Sequence, residues 1–171
     1  MDKQEFIADM ECRFGSDEAL QVRFRLDSGE ELSLAQYDEL CKTFGKEDAP
    51  CAESLLPDDG SAVCCTDYAA YIFKQLPGRV EIYGFANEDN PTSRVAREEI
   101  HLSGHDYAIV DGRYIVDPWP RLVPMAFEQM VFDLEDAADA ALVADIYGPR
   151  HCWERMSLAE QYAQEQLDKS I

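Results

Sequence analysis

Two adjacent cysteines, Cys64 and Cys65, open the stretch CCTDYAAYIF. Downstream, His105 begins the run HDYAIV and Asp117 ends the run RYIVDPW. These residue types suit nucleophilic acyl transfer. A free thiol has a pKa of about 8.5, and a helix amino terminus or a nearby imidazolium lowers it into a useful range. A histidine then accepts the proton, and a carboxylate holds the imidazole in the productive tautomer. Cys65, His105 and Asp117 are the candidate catalytic residues.

Each must be positioned by an element. A helix is expected from about Ser61 to Leu76, ended by Pro77-Gly78. With Ser61 as its cap, Cys65 falls in or just beyond the first turn, where unpaired N–H groups and the helix dipole favour a thiolate. The same N–H groups can form part of an oxyanion hole. RVEIYGF, residues 79–85, reads as a strand. The segment from His105 to Trp119 reads as two strands around Asp111-Gly112. A two-residue turn without a bulge would place His105 and Asp117 on opposite faces. A three-residue loop, Val110-Asp111-Gly112 with Gly112 left-handed, pairs them directly. The triad therefore predicts the three-residue loop, with 105, 107 and 109 sharing a face with 113, 115 and 117.

CTDYAAYIF followed by GHDYAIVDGRYIVDPW resembles the transglutaminase-like branch of the papain-like cysteine enzyme superfamily. Cys65, Asp67 and Ala69 match its Cys-x-Asp/Glu-x-Ala helix opening. His105 with Tyr107 matches its His-x-aromatic strand, and Tyr114, Asp117 and Pro118 its strand ending in Asp-Pro. The resemblance covers about residues 61–120, roughly a third of the chain. It implies an α+β core in which the cysteine helix packs on the His and Asp strands. It also implies peptide hydrolysis, deamidation or acyl transfer to amines. The pattern departs at Tyr107, where Trp is common, and at Cys64. No Gln stands just before Cys65 as an oxyanion donor.

Around this core the chain reads as a single domain over residues 1–171, with helical flanks at 1–45 and 125–171 and an α+β class. MDKQEFIADMECRF is amphipathic, with Phe6, Ile7, Met10 and Phe14 near one face. Residues 19–26 alternate as a strand. Ser33 and Gln36 form a capping box for a helix ended by Gly45, with Leu34, Tyr37, Leu40, Cys41 and Phe44 inward. Residues 46–60 read as a loop, and 86–104 as a connection with a helical turn near 94–100. Met125–Ala144 reads as helix, and a last helix is capped by Ser157 with Glu160. His151-Cys152-Trp153 either lines the cleft or plugs the core through Trp153.

The charge narrows the partners. With 35 acidic and 15 basic residues the net charge is −20. Binding to nucleic acid or anionic membrane, which needs positive charge, is not expected. No apolar run approaches the ~18 residues of a membrane span, and the first residues lack a signal peptide's apolar region. A cytoplasmic protein with reduced thiols is expected, with export as an effector left open. No CxxC or helical HxxxH pattern joins His101, His151 or Cys152 to the other candidates, so no metal and no cofactor are expected. The leading reading is a cysteine hydrolase or acyltransferase acting on a protein or peptide, with a basic substrate suited to the charge. The alternative is a non-catalytic acidic protein: an inhibitor of a basic partner, a nucleic-acid mimic or a pseudoenzyme module.

Overall fold

The computed structural model describes residues 1–45 and 47–171. In chain order its elements are α1 (Lys3–Phe14), β1 (Arg23–Leu26), β2 (Glu31–Ser33), α2 (Leu34–Phe44), β3 (Ala52–Leu55) and α3 (Cys65–Gln75). Then come β4 (Val80–Ala86), α4 (Arg94–Arg97), β5 (Gly104–Val110), β6 (Tyr114–Val116), α5 (Trp119–Leu122), β7 (Val131–Asp133) and α6 (Ala137–Tyr147). A 3₁₀ turn (Arg150–Cys152), β8 (Glu154–Arg155) and α7 (Ser157–Lys169) complete the described residues. The class is α+β, with two antiparallel sheets ordered β2-β1-β3 and β7-β6-β5-β4-β8.

Side-chain alternation along β5 builds the larger half of the molecule. Ala108 and Val110 point to one face, with Val116 of β6, and meet Phe6, Met10, Phe14, Tyr68 and Ile72 of helices α1 and α3. Tyr107 and Ile109 point to the other, with Ile115, and meet Val143, Ile146 and Tyr147 of α6 and Trp153. The sheet is therefore buried on both faces, which explains why β5 and β6 are apolar almost throughout.

The hairpin differs from the expected loop, and the reason is local. Asp111 and Gly112 both take positive φ, 54° and 65°, and Arg113 N–H donates to Val110 O at 3.1 Å. This is a two-residue turn whose central residues twist with the strands. Val110 also pairs with Tyr114, so Arg113 is an extra residue, a bulge after the turn. Carried one step on, the register sets Asp117 opposite Tyr107 rather than His105. The bulge preserves the side, so His105 and Asp117 still share a face.

Other expectations are corrected. The cysteine helix starts at Cys65, not Ser61; Cys64 is its N-cap, and Ser61 bridges to Leu55. The strand read over 19–26 is confined to Arg23–Leu26, because the chain turns at Leu20 and Gln21, where Gln21 has φ 55°. Ser33 and Gln36 do form the capping box, yet no residue of α2 is buried and Phe44 is exposed. That helix lies on the small outer sheet, held by Tyr37 stacking on Phe24 at 4.3 Å. The flanks are not purely helical, since β1, β2, β7 and β8 fall within them, and β3 falls within the expected loop. Ser157 is the first residue of α7 rather than its cap, and the Glu160 carboxylate accepts Ile82 N–H at 2.8 Å. Trp153 plugs the core, donating its indole N–H to Tyr147 O. No helix among the described residues is long and apolar enough to cross a membrane.

Candidate active site

Strand β5 brings His105 to the sheet end nearest the start of α3, and Asp117 follows β6 on the same face. His105 Nε2 lies 2.6 Å from Asp117 Oδ2, and both residues are buried. Asp117 is anchored through its backbone, whose N–H donates to Met130 O at 2.8 Å. Its Oδ2 also accepts the hydroxyl of Tyr147, at 2.7 Å. Burial, then the Asp117 charge, hold the Tyr147 phenol well above its ordinary pKa, so it remains a donor. Trp119 and Tyr147 rings flank the imidazole, with centroids at 5.2 and 6.0 Å. With Nε2 against a carboxylate, that nitrogen carries the proton and Nδ1 is left as an acceptor. Nδ1 is buried and has no hydrogen-bond partner.

Cys64 and Cys65 occupy the N-cap and first position of α3. Cys64 N–H donates to Ser61 O, and the N–H groups of Asp67 and Tyr68 reach Cys64 O. Cys65 and Thr66 have no preceding helical carbonyl for theirs, which leaves a partial positive charge beside both sulfurs. Cys65 is 4% exposed, whereas Cys64 is half-buried. The Cys65 S–H, with help from the N–H groups of Thr66 and Asp67, draws the Cys64 thiol down to about 5. Cys64 makes no capping hydrogen bond of its own, so those N–H groups act on it as a field. The Cys64 sulfur, and then burial, push Cys65 upward against the pull of Asp106 N–H. The two thiols are coupled, so the first proton leaves the pair more readily and the second less readily than from a lone thiol.

The three predicted residues are brought together unequally. His105 and Asp117 form a closed pair. Cys65 and His105 line the same cleft, of about 430 Å³, yet no thiol bonds to Nδ1. Strand alternation explains the gap. Asp106, not His105, points toward α3, its Oδ2 accepting the Thr66 hydroxyl at 2.6 Å. Gly84 opposite makes room for it, since a Cβ there would fall 2.1 Å from Asp106 Oδ1.

Sequence reasoning missed Tyr147 and the Thr66–Asp106 link. Alternation after His105 could have found the second; Tyr147 comes close only through the packing of α6. A larger groove, about 540 Å³, lies apart between Asp17–Arg23 and Ser33–Ala35, without cysteine or histidine. Among the described residues no cluster of three His, Cys, Asp or Glu suits a metal ion. No family model, curated protein or solved structure matches the chain.

Proposed function

We propose that the protein is a cysteine-dependent acyl-transfer enzyme with a papain-like, transglutaminase-like core, acting on peptide or amide carbonyls. The observation that carries this reading is the buried His105–Asp117 pair with its unpartnered Nδ1, in a residue that lines one cleft with two cysteines at a helix start. A buried imidazole with one nitrogen on a carboxylate and the other unpartnered is costly as packing alone.

In this reading Cys65 is the nucleophile. Because Asp106 rather than His105 points toward α3, the reaction requires a rearrangement at the start of β5 that brings Nδ1 to the thiol; the proton then passes from sulfur to Nδ1. The thiolate adds to the carbonyl carbon, and the oxyanion faces the Cys65 and Thr66 N–H groups. Collapse breaks the C–N bond, and the Nδ1 proton leaves on the amine. Water or a second amine then resolves the thioester.

The unmade Cys65–His105 bond favours one other reading, an interaction module whose triad is idle. Iodoacetamide mapping separates the two. The enzyme reading expects one cysteine of the pair to be modified at least about tenfold faster than the other four at pH 7. His105→Ala should change that cysteine's pH–rate profile. Cys65→Ala should abolish turnover of any amide substrate, and Cys64→Ala should retain much of it. Six cysteines of similar rate, indifferent to His105, would leave the interaction module. The reverse order of the two alanine variants would move the nucleophile to Cys64.

A further inference from the structure

The chemistry proposed above needs only a carbonyl, but the walls of the cleft ask for more. Asp89, Asp106 and Glu154 line it, and no Lys or Arg does. Asp89 and Glu154 are exposed, and among the described residues none of the three carboxylates is in an ion pair. Several cations elsewhere are committed, Arg113 to Asp133, Arg155 to Glu81 and Glu160, and Lys74 to Asp58, while Arg150 lies over the Trp153 ring. The cleft therefore sets three carboxylates against its thiols, the hydroxyls of Thr66 and Ser103 and the imidazole of His101, whose Nδ1 accepts Ser103 N–H. A neutral peptide would leave the carboxylates unanswered. An ammonium or guanidinium group would meet them, and the low-dielectric wall of Phe85 and Met156 would strengthen the attraction.

We infer that the cleft selects substrates carrying a Lys or Arg side chain beside the reacting amide, with Asp89 and Glu154 receiving the cation. This rests on the acyl-transfer reading of the same cleft. The test uses two chloroacetamide peptides, identical except for lysine or glutamate next to the warhead, on the full chain and on an Asp89→Asn/Glu154→Gln variant. Both positions are exposed, and the pair removes only two of the 20 net negative charges, so the general field of the protein barely changes. The expected result is that the lysine probe alkylates the Cys64–Cys65 pair about tenfold or more faster than the glutamate probe, and that the double variant loses most of this preference. Circular dichroism confirms that the variant is folded. Equal rates for the two probes at a fast cysteine would overturn the selectivity and leave the chemistry standing. A lysine preference that survives in the double variant would also overturn it, by assigning the effect to the whole molecule's charge. Uniformly slow alkylation of all six cysteines by both probes would remove the chemistry and the inference together.

Discussion

Tyr147 acts on the proposed chemistry without touching the cleft. Its hydroxyl and His105 Nε2 share one oxygen of Asp117, at 2.7 and 2.6 Å, so each restrains the carboxylate for the other. Tyr147→Phe removes one buried hydrogen bond to a charged group. It should slow the fast cysteine's alkylation or turnover by about tenfold, and move the pH profile's histidine limb. Asp117→Asn should cost more, roughly a hundredfold or beyond, because it disturbs the tautomer itself. An unchanged pH limb in Tyr147→Phe would reduce Tyr147 to a packing residue. Asp67 carries a separate consequence. It lies in the first turn of α3, where the dipole should keep it ionised, yet burial and then the Cys64 charge raise it to about 6. A carboxyl whose pKa is higher folded than unfolded favours the fold fully below about pH 4, and loses that favour as pH rises through about 6. Asp67→Asn should therefore raise Tm at pH 8, with the gain shrinking toward pH 4. A gain of equal size at both pH values would show that the charge is irrelevant.

The β5–β6 hairpin decides whether the imidazole and its acid meet. Its turn needs two residues with positive φ, and Gly112 supplies one without strain, while Asp111 is fixed by Arg79, whose Nε and Nη2 donate to its two carboxylate oxygens. Gly112→Val should lower stability by about 1 kcal/mol or more, measured by denaturant unfolding. It should also weaken the His105–Asp117 pairing if the bulge shifts. A variant as stable as the parent would mean that the turn tolerates a β-branched residue. The hairpin also marks how far the sequence could be read. The shared face of His105, Tyr107, Ile109, Ile115 and Asp117 followed from alternation together with the three-residue loop that the triad requires. The bulge at Arg113 did not, because a turn plus a bulge and a longer loop leave the same apolar pattern. The helix at Cys65 was legible, but its first residue was not, because Ser61 has the chemistry of a cap and is instead used in a bridge to Leu55. β7 was read as helix: Val131-Phe132-Asp133 is too short to show a period, and pairing with β6 settles it. The inward face assigned to α2 was a true amphipathic pattern, but no core reaches it.

Across the whole molecule the charge and the two-faced sheet act together. The net charge of −20 is countered locally by ion pairs such as Arg121–Glu11, Arg113–Asp133 and Lys3–Asp136. The excess repels itself, so Tm should rise on going from about 0.01 M to about 0.15 M salt as the screening length falls from ~30 to ~8 Å. A fall would mean that surface pairs outweigh the repulsion. One more consequence lies at the outer edge of β4. Residues 154–160 occupy it: Glu154 and Arg155 pair with Gly84 and Tyr83, Met156 N–H meets Ile82 O, and Glu160 takes Ile82 N–H. These residues leave the ribosome after every other strand of that sheet. Until they arrive, a nascent chain presents β4 as a bare template, ready to pair with a second copy. The short, charged β8 thus works as a closing seal on synthesis, and a chain stopped at Trp153 should elute as oligomers where the full chain does not.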